Sequence, residues 1–298
     1  MRVSDNQFNH LMSSALQSNN ASLNTVFEKI STGSKINHLS DDPLASMKLQ
    51  GIDTSINQKT SYANNIDNVI SKMQKYESYL NIIEESSQSI NELLLQGVDG
   101  SLSLESREGI IIELESYKEE LIDTLNKQDQ GSYLFSGTKV DSPAMTVDQS
   151  ANPPTYTMTG NNEQRSTKIA ENSYITNNIT AGDLLSGTDI FTQIDKAIAE
   201  LGNDPADVSV IRTSLDENAK FHLKTLSVIT ELGSQVSKLE RASAITQDSL
   251  MLSNVMRSEL TDLDFAEAST QLNQNMLAME ATQKTYVKIS QNSLFSLI

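Results

Sequence analysis

The sequence predicts a mainly α protein: a long antiparallel helical bundle or coiled coil, with N- and C-terminal helices side by side and a small β-rich insert. Three observations predict it. Apolar residues recur every seven positions near both ends and along the middle, the pattern of helices that pack on one another. Helix breakers are scarce, with 5 Pro and 12 Gly in 298 residues. Between about 131 and 188 the character changes: three of the prolines (Pro143, Pro153, Pro154) fall there, and Thr155–Thr159 alternates at period two.

The first helix is expected from Ser4 or Asp5, either of which can cap it, to about Ile30. Leu16, Leu23 and Ile30 form one seven-residue row; Met12 and Val26 lie in the adjacent row, with Asn19 between them. Ser31-Thr-Gly-Ser34 breaks the helix, Gly33 being suited to follow a helix end. Ser40-Asp41-Asp42-Pro43 then starts the next: Ser or Asp caps, acidic groups suit the positive helix end, and Pro is tolerated at the first position.

That second helix is expected to be very long. Ile66, Met73, Leu80 and Leu94 form one row, interrupted by Ser87; Val69, Tyr76, Ile83 and Ile90 form the other. Gly97 and Gly100 end it. A helix from about Leu104 to Gln128, with Ile111, Leu114, Leu121 and Leu125 inward, should return along it as a hairpin. In the insert, Thr155–Thr159 is read as a strand, Gly160-Asn161-Asn162 as a turn, and Ser166–Ala170 as the return strand. Tyr174–Thr176 and Ile179-Thr180 suggest further strand. Helix resumes from about Asp189 to Leu201, and again from about Ala206 to Thr261, with Ile211, Leu215, Leu226, Ile229, Leu232, Val236 and Leu239 inward. In the last helix Phe265, Leu272, Met279 and Tyr286 repeat every seven; Met276 and Leu297 flank that row, and Gln283 and Ser290 interrupt it.

The plan is palindromic, so the chain goes out and comes back with its ends adjacent. The expected division is 1–35 with 262–298 as a terminal-helix domain, 36–130 with 189–261 as a long-helix bundle, and 131–188 as the insert. Neither terminal stripe can bury itself, because an amphipathic helix takes most of its stability from packing. Assembly is therefore the expected role, through Met12, Leu16, Leu23, Val26, Ile30, Phe265, Leu272, Met276, Met279, Tyr286 and Leu297.

Composition excludes several other roles. A net charge of −17 provides no basic footprint for nucleic acid and is repelled by anionic membranes. With no Cys there is no disulfide, thiol nucleophile or Cys-ligated metal. His10, His38 and His222 have no second His at helical spacing, so a zinc-ligand pattern is lacking. Asp41-Asp42 reads as a cap rather than an acid–base pair, and Gly131–Gly137 lacks the Lys and spacing of a phosphate loop. No catalytic residue, cofactor or metal is expected. The first residues lack the features of a cleaved secretory signal, and no stretch is apolar enough to span or insert into a membrane.

Two motifs and the chain's ending carry a resemblance. Asn37-His-Leu-Ser40-Asp41-Asp42-Pro43-Leu-Ala45, after the Gly33 break, resembles the signature that follows the first helix in bacterial flagellins and hook-associated proteins. Gln130-Gly131-Ser-Tyr133-Leu134-Phe135-Ser-Gly137-Thr138, Leu263–Ala268 and Lys288–Ile298 resemble the hook-associated protein 3 branch of that flagellin superfamily. His38-Leu39 departs from it, where Pro is frequent in the family. The resemblance implies a structural junction protein of the flagellum, exported unfolded by a type III route with an uncleaved N-terminus and served by a cytoplasmic export chaperone. It implies a self-assembled ring between hook-associated protein 1 and the flagellin filament, with terminal helices inside and the insert outward. Such ends would be disordered in the free monomer and order on assembly. Flagellin itself, or a type III secreted coiled-coil effector or translocator, is the alternative.

Overall fold

The computed structural model describes residues 2–99, 102–151 and 153–295. It consists of seven helices and three two-stranded antiparallel sheets among the described residues: α1 (Arg2–Thr32), α2 (Pro43–Gly97), α3 (Leu104–Leu125), β1 (Gln128–Asp129), β2 (Ser132–Tyr133), β3 (Met145–Asp148), β4 (Thr155–Met158), β5 (Ser166–Ala170), β6 (Ser173–Thr176), α4 (Ala181–Leu185), α5 (Ile190–Leu201), α6 (Val208–Thr261) and α7 (Phe265–Phe295). The chain forms two compact units. One is Lys59–Gln247; the other joins Met1–Gln58 to Asp248–Ile298.

In the Lys59–Gln247 unit, both heptad rows of α2 are buried: Ile66, Met73, Leu80 and Leu94, with Val69, Tyr76, Ile83 and Ile90. Ser87, the polar interruption, is buried too, and α6 supplies its partner. Ser87 Oγ donates to Asn218 Oδ1 at 3.1 Å, and Asn218 Nδ2 donates to the Ser87 carbonyl at 2.9 Å. Each buried polar group thus satisfies the other, removing the penalty of desolvation. α3 starts at a Ser103 cap. It runs antiparallel to α2, as contacts from Ser86 to Glu120 and from Lys75 to Asp129 require. α3 stops at Leu125 rather than Gln128, because Gln128 enters β1. Its inward residues are Ile110, Leu114, Leu121 and Leu125; Ile111 is only half-buried.

The insert contains the expected strands with a different pairing. β4 does not turn at Gly160–Asn162 onto β5. It pairs with β3, Met145 opposite Met158, while β5 pairs with β6, Lys168 opposite Tyr174. The Gly160–Asn162 segment is drawn instead against Ser136–Thr138: Asn161 N donates to the Ser136 carbonyl, and Thr138 N donates to Asn161 Oδ1. Ile179-Thr180 is not strand: Thr180 caps α4 through a reciprocal capping box with Asp183. The β3–β4 hairpin is fastened to the helices. Tyr156 stacks on Phe191 with ring centres 5.2 Å apart, and its hydroxyl donates to Asp195, which also pairs with Lys118 at 2.6 Å.

α6 departs from expectation in its face. Ile211, Leu232 and Leu239 are buried, but the positions between them in the same row are polar Asn218 and Thr225, and Phe221 completes the seam. Leu226, expected inward, is 38% exposed.

Candidate assembly interface

The other unit is built around two 31-residue helices, α1 and α7, packed antiparallel. Their contact face on α1 is the expected pair of rows. Val26 is buried, and Met12, Leu16, Asn19, Leu23 and Ile30 are half-buried. On α7 the facing rows are Leu272 and Met279, half-buried, and a second row of Ala268, Asn275 and Thr282. That second row is small and polar, so the apolar count on which the sequence reading relied overlooked it. Asn19 Nδ2 donates to Thr282 Oγ1 at 3.1 Å across the seam.

The remaining expected residues of α7 lie elsewhere. Phe265, Met276 and Tyr286 are exposed, and Leu297 is outside the described residues. With Leu277, Val287, Leu11 and Phe27, all exposed, they leave apolar surface on both helices outside their shared seam. An open groove beside the seam is lined by Leu23, Met276, Leu277 and Met279 together with polar Asn273, Glu280 and Gln283. Sequence periodicity missed Leu11, Phe27, Leu277 and Val287 because they fall outside the heptad rows. The signal available for them was apolar residues repeated off the main stripe.

The pair is tied at one end by backbone. Leu263 N donates to the Gly33 carbonyl at 3.0 Å and Lys35 N to the Thr261 carbonyl at 2.8 Å, around a Ser34–Asp262 bridge. Gly33 itself has φ +70°, as a helix-ending residue requires. The Asn37–Pro43 motif builds the adjoining turn. Asp41 Oδ2 accepts the Asn37 and His38 amides, each at 3.0 Å. Those bonds, the His38 one foremost, hold its carboxyl below the usual range. Asp42 caps α2 by accepting the Ala45 amide at 2.9 Å, and Pro43 is the first helical residue. Asn37 Oδ1 accepts from Thr32, so the motif is also anchored to the end of α1; Ser40 is exposed. Both carboxylates therefore have structural roles.

In the Lys59–Gln247 unit, the Gly131–Gly137 motif is a fastener. Gln130 and Gly131, at φ +51° and +80°, make the two-residue turn between β1 and β2, whose twist matches a hairpin. The Leu134 carbonyl then accepts from the buried Tyr76 hydroxyl of α2 at 2.7 Å, and Phe135 packs edge-on to the Tyr76 ring at 5.4 Å. Burial pushes the Tyr76 phenol up to about 12, so it remains a donor. At Gly137 a Cβ would overlap the Asn161 backbone, so only Gly admits this close approach.

Among the described residues, no helix is long and apolar enough to cross a membrane, and no group of three His, Asp or Glu is placed to hold a metal.

The bacterial flagellin N-terminal helical region matches residues 3–140. Flagellar hook-associated protein 3 of Salmonella typhimurium is 24% identical over 318 residues, an alignment spanning 100% of this chain and 99% of that protein. A solved flagellar hook-associated protein of Vibrio parahaemolyticus is 29% identical and superposes with a TM-score of 0.70, covering 74% of this chain and 100% of that one. A flagellin of Salmonella muenchen aligns over only 46% of this chain and 26% of its own length. Along its whole length this chain is similar to flagellar hook-associated protein 3, and its first half is similar to the flagellin N-terminal helical region.

Proposed function

We propose that this protein is a structural adaptor of the bacterial flagellum, joining hook-associated protein 1 at the hook end to the flagellin filament, and that its terminal helices are the assembly element. The observation that carries this reading is the apolar surface that the α1–α7 pair leaves open. Two paired helices bury one stripe of each. Leu11, Phe27, Met276, Leu277 and Val287 remain in water. Apolar area buried on association is worth roughly 25 cal/mol per Å². The free energy that orders these helices is thus available only when neighbouring subunits cover them.

The assembly residues are Met12, Leu16, Leu23, Val26, Ile30, Phe265, Leu272, Met276, Met279, Tyr286 and Leu297. Of these, Phe265, Met276 and Tyr286 are free to meet another chain, while the seam residues align α1 with α7. Fixing backbone costs about 1–2 kcal/mol per residue. The segments 1–35 and 262–298 are accordingly disordered in the free chain and order on incorporation. They form the inner layer of a ring, the bundle of 36–130 and 189–261 the next, and 131–188 faces outward. The chain leaves the cell through the flagellar export route with its N-terminus intact, held by a cytoplasmic chaperone until then. It has no catalytic role.

Removing the gene tests the adaptor reading. The expected result is a hook without a filament and flagellin released into the medium. An intact filament would overturn it.

A further inference from the structure

The Lys59–Gln247 unit carries two charge patterns that its own packing uses only in part. α3 carries seven acidic residues and two basic ones. Both basic residues are used internally, Arg107 on Asp204 and Lys118 on Asp195. The acidic residues are exposed, and Glu105, Glu108, Glu115 and Glu119 share one helical stripe with Ile112, which is 66% exposed at its centre. An apolar residue rimmed by charge is the make-up of a contact surface.

The same unit carries a basic patch where the β5–β6 hairpin meets α2. The Lys168 ammonium lies 5.8 Å from the Tyr62 ring centre, and the Lys72 ammonium 6.0 Å from that of Tyr76. Lys168 sits opposite Tyr174, so both side chains project from one sheet face, and Tyr174 is 64% exposed. Arg165 lies beside the Tyr76 phenol, with its Nε buried and unpartnered. Lys72 makes no ion pair among the described residues, and the nearby Asp129 is taken by Lys75. In a chain of net charge −17, half-buried cations without anions are an exception that calls for an external partner.

We propose that the acidic stripe of α3, centred on Ile112, docks on the Lys72–Arg165–Lys168 patch, beside Tyr174, of a second copy of this chain. The contact is heterologous, one surface on a different one, so it propagates from copy to copy and closes only as a ring or helix. Ser86 and Glu120 are neighbours across α2 and α3. Glu115 therefore lies roughly 20 residues of helix, about 30 Å, from the level of Lys72, and successive copies are staggered along the bundle. The inference rests on the junction reading for its biological setting; the contact itself is tested separately.

The chain has no native Cys, so disulfide trapping has no background. Full-length Lys168→Cys and Glu115→Cys chains are purified, mixed at low salt and oxidised. The expected result is a mixed dimer formed roughly tenfold over either chain alone, as two or three exposed ion pairs would give. Its yield should fall as salt rises from about 0.1 M to 1 M, where the screening length drops from about 10 to 3 Å. A yield no higher than that of the single chains, or one indifferent to salt, overturns the proposal. The filament phenotype is scored independently. Chains that support filaments but never trap the mixed dimer discard this interface and leave the adaptor role. Chains that trap it keep this interface, and an intact filament after removal of the gene would still discard the adaptor role by itself.

Discussion

Asn19 and Thr282 are joined by the one side-chain hydrogen bond that crosses between α1 and α7 among the described residues, at 3.1 Å. It sits in the middle of a seam otherwise made by Met12, Leu16, Leu23, Val26 and Ile30 against Ala268, Leu272 and Met279. A polar pair in such a seam selects one register at a cost in stability, since slippage by a heptad breaks the bond and sets Thr282 against apolar Met12 or Val26.

Replacing Asn19 by Leu should therefore stabilise the pair by about 1 kcal/mol while loosening its register. Thr282 would still donate to the Ala278 carbonyl, so no orphan is created. Disulfide trapping in the assembled flagellum, where these helices are ordered, checks this. Leu23→Cys should couple only to Met279→Cys in the parent chain, and also to Tyr286→Cys in the Asn19→Leu background. An unchanged single product would count against a register role.

The Ser87–Asn218 pair makes a similar argument in the other unit. Asn218→Ala removes both bonds and leaves the buried Ser87 hydroxyl without its acceptor, so it should cost about 2–3 kcal/mol. Combining Ser87→Ala with Asn218→Leu should recover much of that loss, because two apolar groups replace two matched polar ones. Urea midpoints of the full-length variants decide it; equal losses in the single and double variants would refute the reciprocal pairing.

Much of this architecture is legible in the sequence, and the exceptions share a cause. The α2 rows read correctly because every position but Ser87 is apolar. The α6 seam misleads because Asn218 and Thr225 occupy it while apolar Leu226 faces water. On α7 the packed second row is Ala268, Asn275 and Thr282, whereas Met276 turns outward. Hydropathy identifies a helix face only when the partner presents apolar groups too. Strand pairing failed for another reason. Gly160-Asn161-Asn162 carries a turn composition, but Ser136 accepts the Asn161 amide and Thr138 N donates to the Asn161 side chain, a contact between distant segments that no local rule contains. The cation cluster at Lys72 and Arg165 likewise arises only when α2 meets the insert.

That cluster sets a pH dependence. Burial, reinforced by Arg165, lowers the Lys72 ammonium to about 8, below its ordinary 10.5. The folded chain thus releases this proton before the unfolded chain does, and stability contributed at this site rises with pH between about 8 and 10.5. At neutral pH the charged Lys72 is a net cost, about 1 kcal/mol once its half exposure to solvent is discounted. Lys72→Met should be more stable than the parent at pH 7, with the gap closing towards pH 10. Unfolding midpoints of both chains across that range provide the check; a constant gap would show that Lys72 keeps its ordinary acidity.

The central claim is that the exposed apolar surface of the terminal helices is covered by other subunits in the flagellum. Leu277 tests it most directly, because it is 66% exposed and lines the groove beside Met276 and Met279. An Asp there costs little in the free chain but leaves an unpaired charge in a packed assembly. The measurement is incorporation of full-length Leu277→Asp at the hook–filament junction, in cells without the parent chain, alongside its unfolding midpoint in solution. A parental midpoint, incorporation reduced at least tenfold, and flagellin in the medium are expected. Normal incorporation with a normal filament would contradict it.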